Sequence, residues 1–201
     1  MSSIQILVER QFSRKQRKNQ RLPSLFLMTD ADRGPDVFRA IRGLRSGAGV
    51  VLRHYRSPTR ARLAKRLSRY CRARGLVFLV AGDADLARTV GAHGLHLPTW
   101  ALRNPDRDTN AKIGRDWILT ASVHNYPELG SALRFGVSAI ILSPIFATPS
   151  HPDRKAMGPL TAARIARLSS VPVIALGGMS KRTVPRLRHC GLNGVAGVSL
   201  S

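Results

Sequence analysis

The sequence predicts an α/β fold, a single-domain (β/α)8 barrel, and three observations carry that prediction. Short apolar runs alternate with helix-like segments from Leu25 to Val198, which is how parallel strands covered on both faces read. Eight such runs can be counted, the number a closed barrel needs. Finally, Ala121-Ser122-Val123-His124, Ser143-Pro144-Ile145-Phe146-Ala147-Thr148-Pro149 and Ala175-Leu176-Gly177-Gly178-Met179 each follow an apolar run and precede a helical one. Each therefore occupies a strand-to-helix turn, and in a barrel those turns gather at one mouth. An open doubly wound sheet is the rival, but no Gly-x-Gly-x-x-Gly follows the first run.

The elements follow in order. Residues 1–22 are a basic N-terminal leader, partly helical from Ile4 to Arg17, and residues 23–201 are the barrel. Leu25–Met28 is the first strand, Val37–Leu44 a helix closed by Gly47-Ala48-Gly49, and Val50–Leu52 the second strand. Pro58 opens a helix that runs to Arg74 and is closed by Gly75. Leu76–Val80 is the third strand, and Asp83 N-caps a helix over Ala84–Val90 that Gly91 ends. Leu95–Leu97 and Trp117–Ala121 are strands four and five, with a helix over Pro127–Phe135. Val137–Leu142 is the sixth strand, before a loop with three prolines and a helix over Leu160–Leu168. Val173–Leu176, a helix over Val184–His189, and a strand over Val195–Val198 complete the set. No helix follows the eighth strand in this reading; the leader is the candidate to cover it, or the exposed apolar gap promotes a homodimer.

With 201 residues and 43% hydrophobic content, the chain suits one core. No apolar run approaches a membrane span, and Ile4–Val8 is too short for a signal-peptide core. Cys71 and Cys190 have no metal or redox spacing and read as reduced packing residues of a cytoplasmic protein. Charge is the unusual feature: 33 Lys and Arg stand against 11 acids, a net +22. No carboxylate lies between Asp36 and Asp83. Such an excess attracts polyanions nonspecifically; a solvated basic helix face with a mobile tail is the other reading. No aromatic interleaving or nucleic-acid motif is expected beside the basic residues.

Chemistry belongs at the strand ends. Gly177-Gly178 and Gly197-Val198-Ser199 stand where barrels hold phosphate, since glycine lets backbone N–H groups approach an anion. A tight turn is the alternative reading of the glycine pair. His124 lies beyond strand five, and an imidazole moves protons near neutral pH without a metal. Ser122 can donate to a bound anion or ring, and Arg53 can neutralise a carboxylate or phosphate. His96, within a strand, reads as a satisfied barrel residue. No acid pair suggests a metal: Asp83 and Asp85 read as caps.

Together these strings resemble the family that joins thiamine phosphate synthase with the thiazole tautomerase TenI. The likeness spans about residues 25–199 and rests on Leu27-Met28-Thr29-Asp30, Leu52-Arg53, Asp85-Leu86-Ala87, Gly91-Ala92-His93-Gly94-Leu95-His96-Leu97, Ser122-Val123-His124, Pro144-Ile145-Phe146-x-Thr148 and Gly177-Gly178-Met179. The resemblance implies the same barrel fold. Departures from the synthases are specific. Their Gln-x-Arg-x-Lys after strand two is here Val51, Arg53 and Tyr55; their Asn-Asp after strand three is Ala81-Gly82. Their second magnesium aspartate falls within Pro98-Thr99-Trp100-Ala101, and their Thr-x-Thr-Lys is Thr148-Pro149-Ser150-His151.

Losing both carboxylates removes the ligands of the magnesium that neutralises a departing pyrophosphate, so no cofactor is expected. Leu97-Pro98 and Ser122-Val123-His124 are closer to the TenI-like branch. What the resemblance implies is a barrel that binds a thiazole phosphate, with His124 shuttling a proton during its aromatising tautomerisation. Arg53, Tyr55, Ser122 and Thr148 would contact substrate; Gly177, Gly178, Val198 and Ser199 would hold phosphate. The alternatives are a thiamine phosphate synthase, or a degenerate barrel with a regulatory or polyanion-binding role.

Overall fold

A computed structural model describes residues 3–12, 22–30, 37–103, 112–148 and 155–198. The strands are β1 (Leu25–Met28), β2 (Gly49–Leu52), β3 (Val77–Ala81), β4 (Gly94–Leu97), β5 (Ile118–Val123), β6 (Ala139–Leu142), β7 (Val173–Leu176) and β8 (Gly194–Gly197). They close in sequence order into one parallel barrel, β8 pairing with β1 through Leu25 opposite Val195. The helices are α1 (Ser3–Phe12), α2 (Val37–Arg42), α3 (Arg60–Ala73), α4 (Ala84–Thr89), α5 (Thr99–Arg103), α6 (Tyr126–Phe135) and α7 (Gly158–Leu168), with a 3-10 turn at Val184–Leu187 before β8.

The strands are apolar throughout because both faces are covered. Leu25 and Leu27, Val50 and Leu52, Phe78 and Val80, Leu95 and Leu97 point outward into the core shared with the helices. Their alternates Phe26, Met28, Val51, Leu79, Ala81, Ile141 and Ile174 fill the barrel interior. Size is matched across it: a Cβ at Gly49 would lie 2.2 Å from the Phe26 ring, so the large ring fits only against glycine. On β4 and β5 the inward alternates are instead polar: His96, Thr120 and Ser122.

Helix α1 buries Ile4, Val8 and Phe12 and lies against β1 and β8. Gln5 accepts from the Arg45 amide at 3.1 Å, and Gln11 donates to the Val184 carbonyl at 3.1 Å. This part of the leader therefore belongs to the barrel's own core; its extension to Arg17 lies outside the described residues. One expectation is corrected. The helix predicted over Val184–His189 is a 3-10 turn, ended where His189 takes a left-handed conformation at φ 71°. Short α5, unread in the sequence, follows β4 directly.

The expectation of no aromatic interleaving is also corrected. Arg66 lies over the Phe38 ring at 4.7 Å, Arg74 over Tyr70 at 5.7 Å, and Arg60 over Tyr55 at 5.6 Å. Guanidinium groups stack on such faces while their outer edges stay hydrated. Both cysteines are free; burial pushes the Cys71 thiol up to about 12. Among the described residues no helix is long and apolar enough to cross a membrane.

Candidate active site at the barrel mouth

The turns after β5, β6 and β7 meet. Asn125 caps α6 by accepting from the Glu128 amide at 2.9 Å, and Glu128 accepts from the His124 amide at 2.8 Å. These two bonds, with Arg103 on Glu128 at 3.2 Å, fix the backbone that carries His124. The His124 ring places Nδ1 2.6 Å from the Ser143 carbonyl oxygen at the end of β6. A carbonyl only accepts, so in the neutral ring the proton sits on Nδ1 and Nε2 carries the basic lone pair.

The next residue, Pro144, meets the β7 turn. A Cβ on Gly177 would lie 2.9 Å from Pro144 Cα, and one on Gly178 would lie 2.7 Å from the Ala147 carbonyl oxygen. The two glycines have φ of 100° and 66°. Their carbonyls accept from the Phe146 amide at 3.1 Å and the Thr183 hydroxyl at 2.7 Å. Their N–H groups donate to no acceptor among the described residues. The turn is thus tight, and its two amides have no acceptor among the described residues. Val198 and Thr148 are half-buried at the same mouth, whereas Ser199 lies outside the described residues.

Inside the barrel, His96 Nδ1 is 2.9 Å from Thr120 Oγ1 and Nε2 is 3.0 Å from Ser122 Oγ. Burial, reinforced by the nearby Arg53 charge, pushes this imidazole down to about 3, so it stays neutral. Ser122 is therefore anchored by His96. His96 is thus the satisfied barrel residue the sequence predicts; its partners Thr120 and Ser122 are not predicted.

The β1–β4 side is different. Arg53 donates from its amide to Thr29 Oγ1 at 3.0 Å, from Nε to the Thr29 carbonyl at 2.8 Å, and pairs with Asp30 at 3.3 Å. These bonds hold the guanidinium at the ends of β1 and β2, on the rim of the mouth. Arg60 from α3 pairs with Asp83 at 3.0 Å and donates to the Ala81 carbonyl. Asp83 also caps α4 through the Leu86 amide at 2.8 Å. The Trp100 ring and Tyr55 both converge on Gly82, 2.9 and 3.4 Å from where its Cβ would be. Burial raises the Tyr55 phenol, opposed by Arg53 and Arg60.

Magnesium takes carboxylate and other oxygen ligands, and the described side chains on this side do not form such a set. Ala81 and Gly82 supply no side-chain oxygen, and Asp30 and Asp83 are each committed to an arginine. No group of three metal-binding side chains occurs among the described residues. A hollow of about 510 Å³ among Gln5, Glu9, Ser46, Arg72 and His93 lies at the opposite end of the barrel. No predicted site residue lines it, and barrel chemistry is done at the C-terminal mouth.

A family model described as thiamine monophosphate synthase matches residues 26–200. The thiamine-phosphate synthase of Synechococcus sp. (strain WH7803) is 30% identical over 192 residues, covering 91% of this chain and 54% of that protein. That of Thioalkalivibrio sulfidiphilus (strain HL-EbGR7) is 31% identical over 193 residues, covering 90% and 88%. The chain spans about half the length of the Synechococcus relatives. Among solved structures, thiamine phosphate pyrophosphorylase from Pyrococcus furiosus superposes with a TM-score of 0.69 at 24% identity, covering 88% and 85%; that likeness concerns the fold.

Proposed function

We propose that this chain, which belongs to the thiamine monophosphate synthase family, binds a thiazole phosphate at the β5–β8 side of its mouth and moves a proton on it through His124. The observation that carries this reading is the bond from His124 Nδ1 to the Ser143 carbonyl, which leaves Nε2 as the base. Tautomerisation takes a proton from one position and returns it at another. A single base that holds the proton in between serves both halves, and no co-reactant is consumed. The amides of Gly177 and Gly178, with Val198 and Ser199, are the phosphate donors in this reading. Ser122 and Thr148 contact the ring.

The synthase reaction is the second reading, favoured by the names of the relatives. It has the departing pyrophosphate to neutralise, and Ala81, Gly82 and Ala101 offer no side-chain oxygen to hold magnesium there. Purified protein should therefore be given two mixtures. One holds the non-aromatic thiazole phosphate tautomer; the other holds aromatic thiazole phosphate, pyrimidine pyrophosphate and magnesium. The expected result is isomerisation of the first, slowed about 100-fold or more in His124→Gln. Equal rates for wild type and variant would remove His124 from the mechanism. Magnesium-dependent pyrophosphate release from the second mixture would establish the synthase reading instead.

A further inference from the structure

We infer that the β2–β4 quadrant of the mouth is a metal-free stacking subsite for a planar heteroaromatic ring, with Trp100 and Tyr55 as its walls. The reasoning begins with what is exposed. Among the described residues the exposed large hydrophobics are Tyr55, Trp100, Tyr126, Leu160 and Leu168. All three aromatics among them follow the C-terminal ends of β2, β4 and β5, at one rim of the mouth. In a chain with only 5% aromatic residues, Trp100 and Tyr55 adjoin at Gly82, and adjoining exposed apolar groups mark a binding surface where scattered single ones do not.

The quadrant is also built. Trp100 and Tyr55 approach the same point above Gly82, which only a residue without a side chain permits at φ 67°. Arg60 backs the Tyr55 ring and is itself held by Asp83 and the Ala81 carbonyl. Arg53 is likewise paired with Asp30. The indole, 58% exposed, keeps surface free for stacking. A flat, electron-poor ring is the ligand that such a wall recognises. The inference rests on the proposed function only for the kind of molecule that arrives.

The test reads Trp100 directly, as the difference in tryptophan emission between wild type and Trp100→Phe. The probes are thiamine, which has rings without phosphate, and thiamine monophosphate. Quenching of the Trp100 signal by both, with the same midpoint in magnesium and in EDTA, is the expected result. Trp100→Ala should weaken calorimetric binding of thiamine monophosphate about tenfold, while inorganic phosphate binds unchanged. Failure of both probes to alter the Trp100 signal overturns the inference, as does quenching that requires magnesium. Thiamine that quenches while phosphate adds no affinity would keep the stacking subsite and sink the phosphate reading. Phosphate-dependent binding that leaves Trp100 silent would do the reverse.

Discussion

His96 gives the sharpest stability prediction. Its imidazole is sealed inside the barrel between Thr120 and Ser122, and burial followed by the Arg53 charge lowers its pKa from 6.5 to about 3. The unfolded chain therefore takes up a proton as pH falls through 6.5, while the folded chain resists until about 3. Stability from this group is fully present above 6.5 and is lost progressively toward 3. Each unit is worth about 1.36 kcal/mol, so lowering pH from about 8 to about 5 should cost about 2 kcal/mol through His96 alone. His96→Gln keeps a polar head between the two hydroxyls but does not titrate. Urea unfolding of both proteins across that pH range isolates the effect, because the remaining titrating groups are common to both. Wild type should lose about 2 kcal/mol more than the variant. Parallel stability curves would show that the imidazole is either hydrated or already protonated in the folded barrel, and the argument from burial would fail.

The β6–β7 contact and the leader helix are tested by denaturant unfolding as well. Gly178→Ala must place a methyl 2.6 Å from Phe146 Cβ at φ 66°, adding a steric clash to the left-handed backbone cost, for about 2–4 kcal/mol in all. Gly136→Ala, at φ 78° with nothing within 4 Å, should cost only about 1 kcal/mol, and equal losses in the two would deny the tight contact. Ile4→Ala should cost about 3 kcal/mol, because Ile4 is fully buried against the β8–β1 seam. A loss below about 0.5 kcal/mol would mean that α1 is a surface appendage.

What could be read from the sequence, and what could not, follows from where each signal is written. Strand β7 is legible to both ends because Pro172 and Gly177 bracket a run apolar on both faces. The mouth turns are legible for the same reason: glycine, serine and histidine appear abruptly where apolar runs stop. The polar seam is not legible, because His96 and Thr120 meet only through strand register, 24 residues apart. Arg60 is hidden differently. It stands among arginines of one helix, and nothing local distinguishes it from exposed Arg62 or Arg66; only the turn after β3 draws it to Asp83 and leaves its side chain 13% exposed. The same turn explains why Ala81 and Gly82 say more than an absence of acids. With no side chain at Gly82, the Trp100 and Tyr55 rings close over the backbone, so restoring an aspartate there would have to displace two aromatic rings before it could offer an oxygen to any cation.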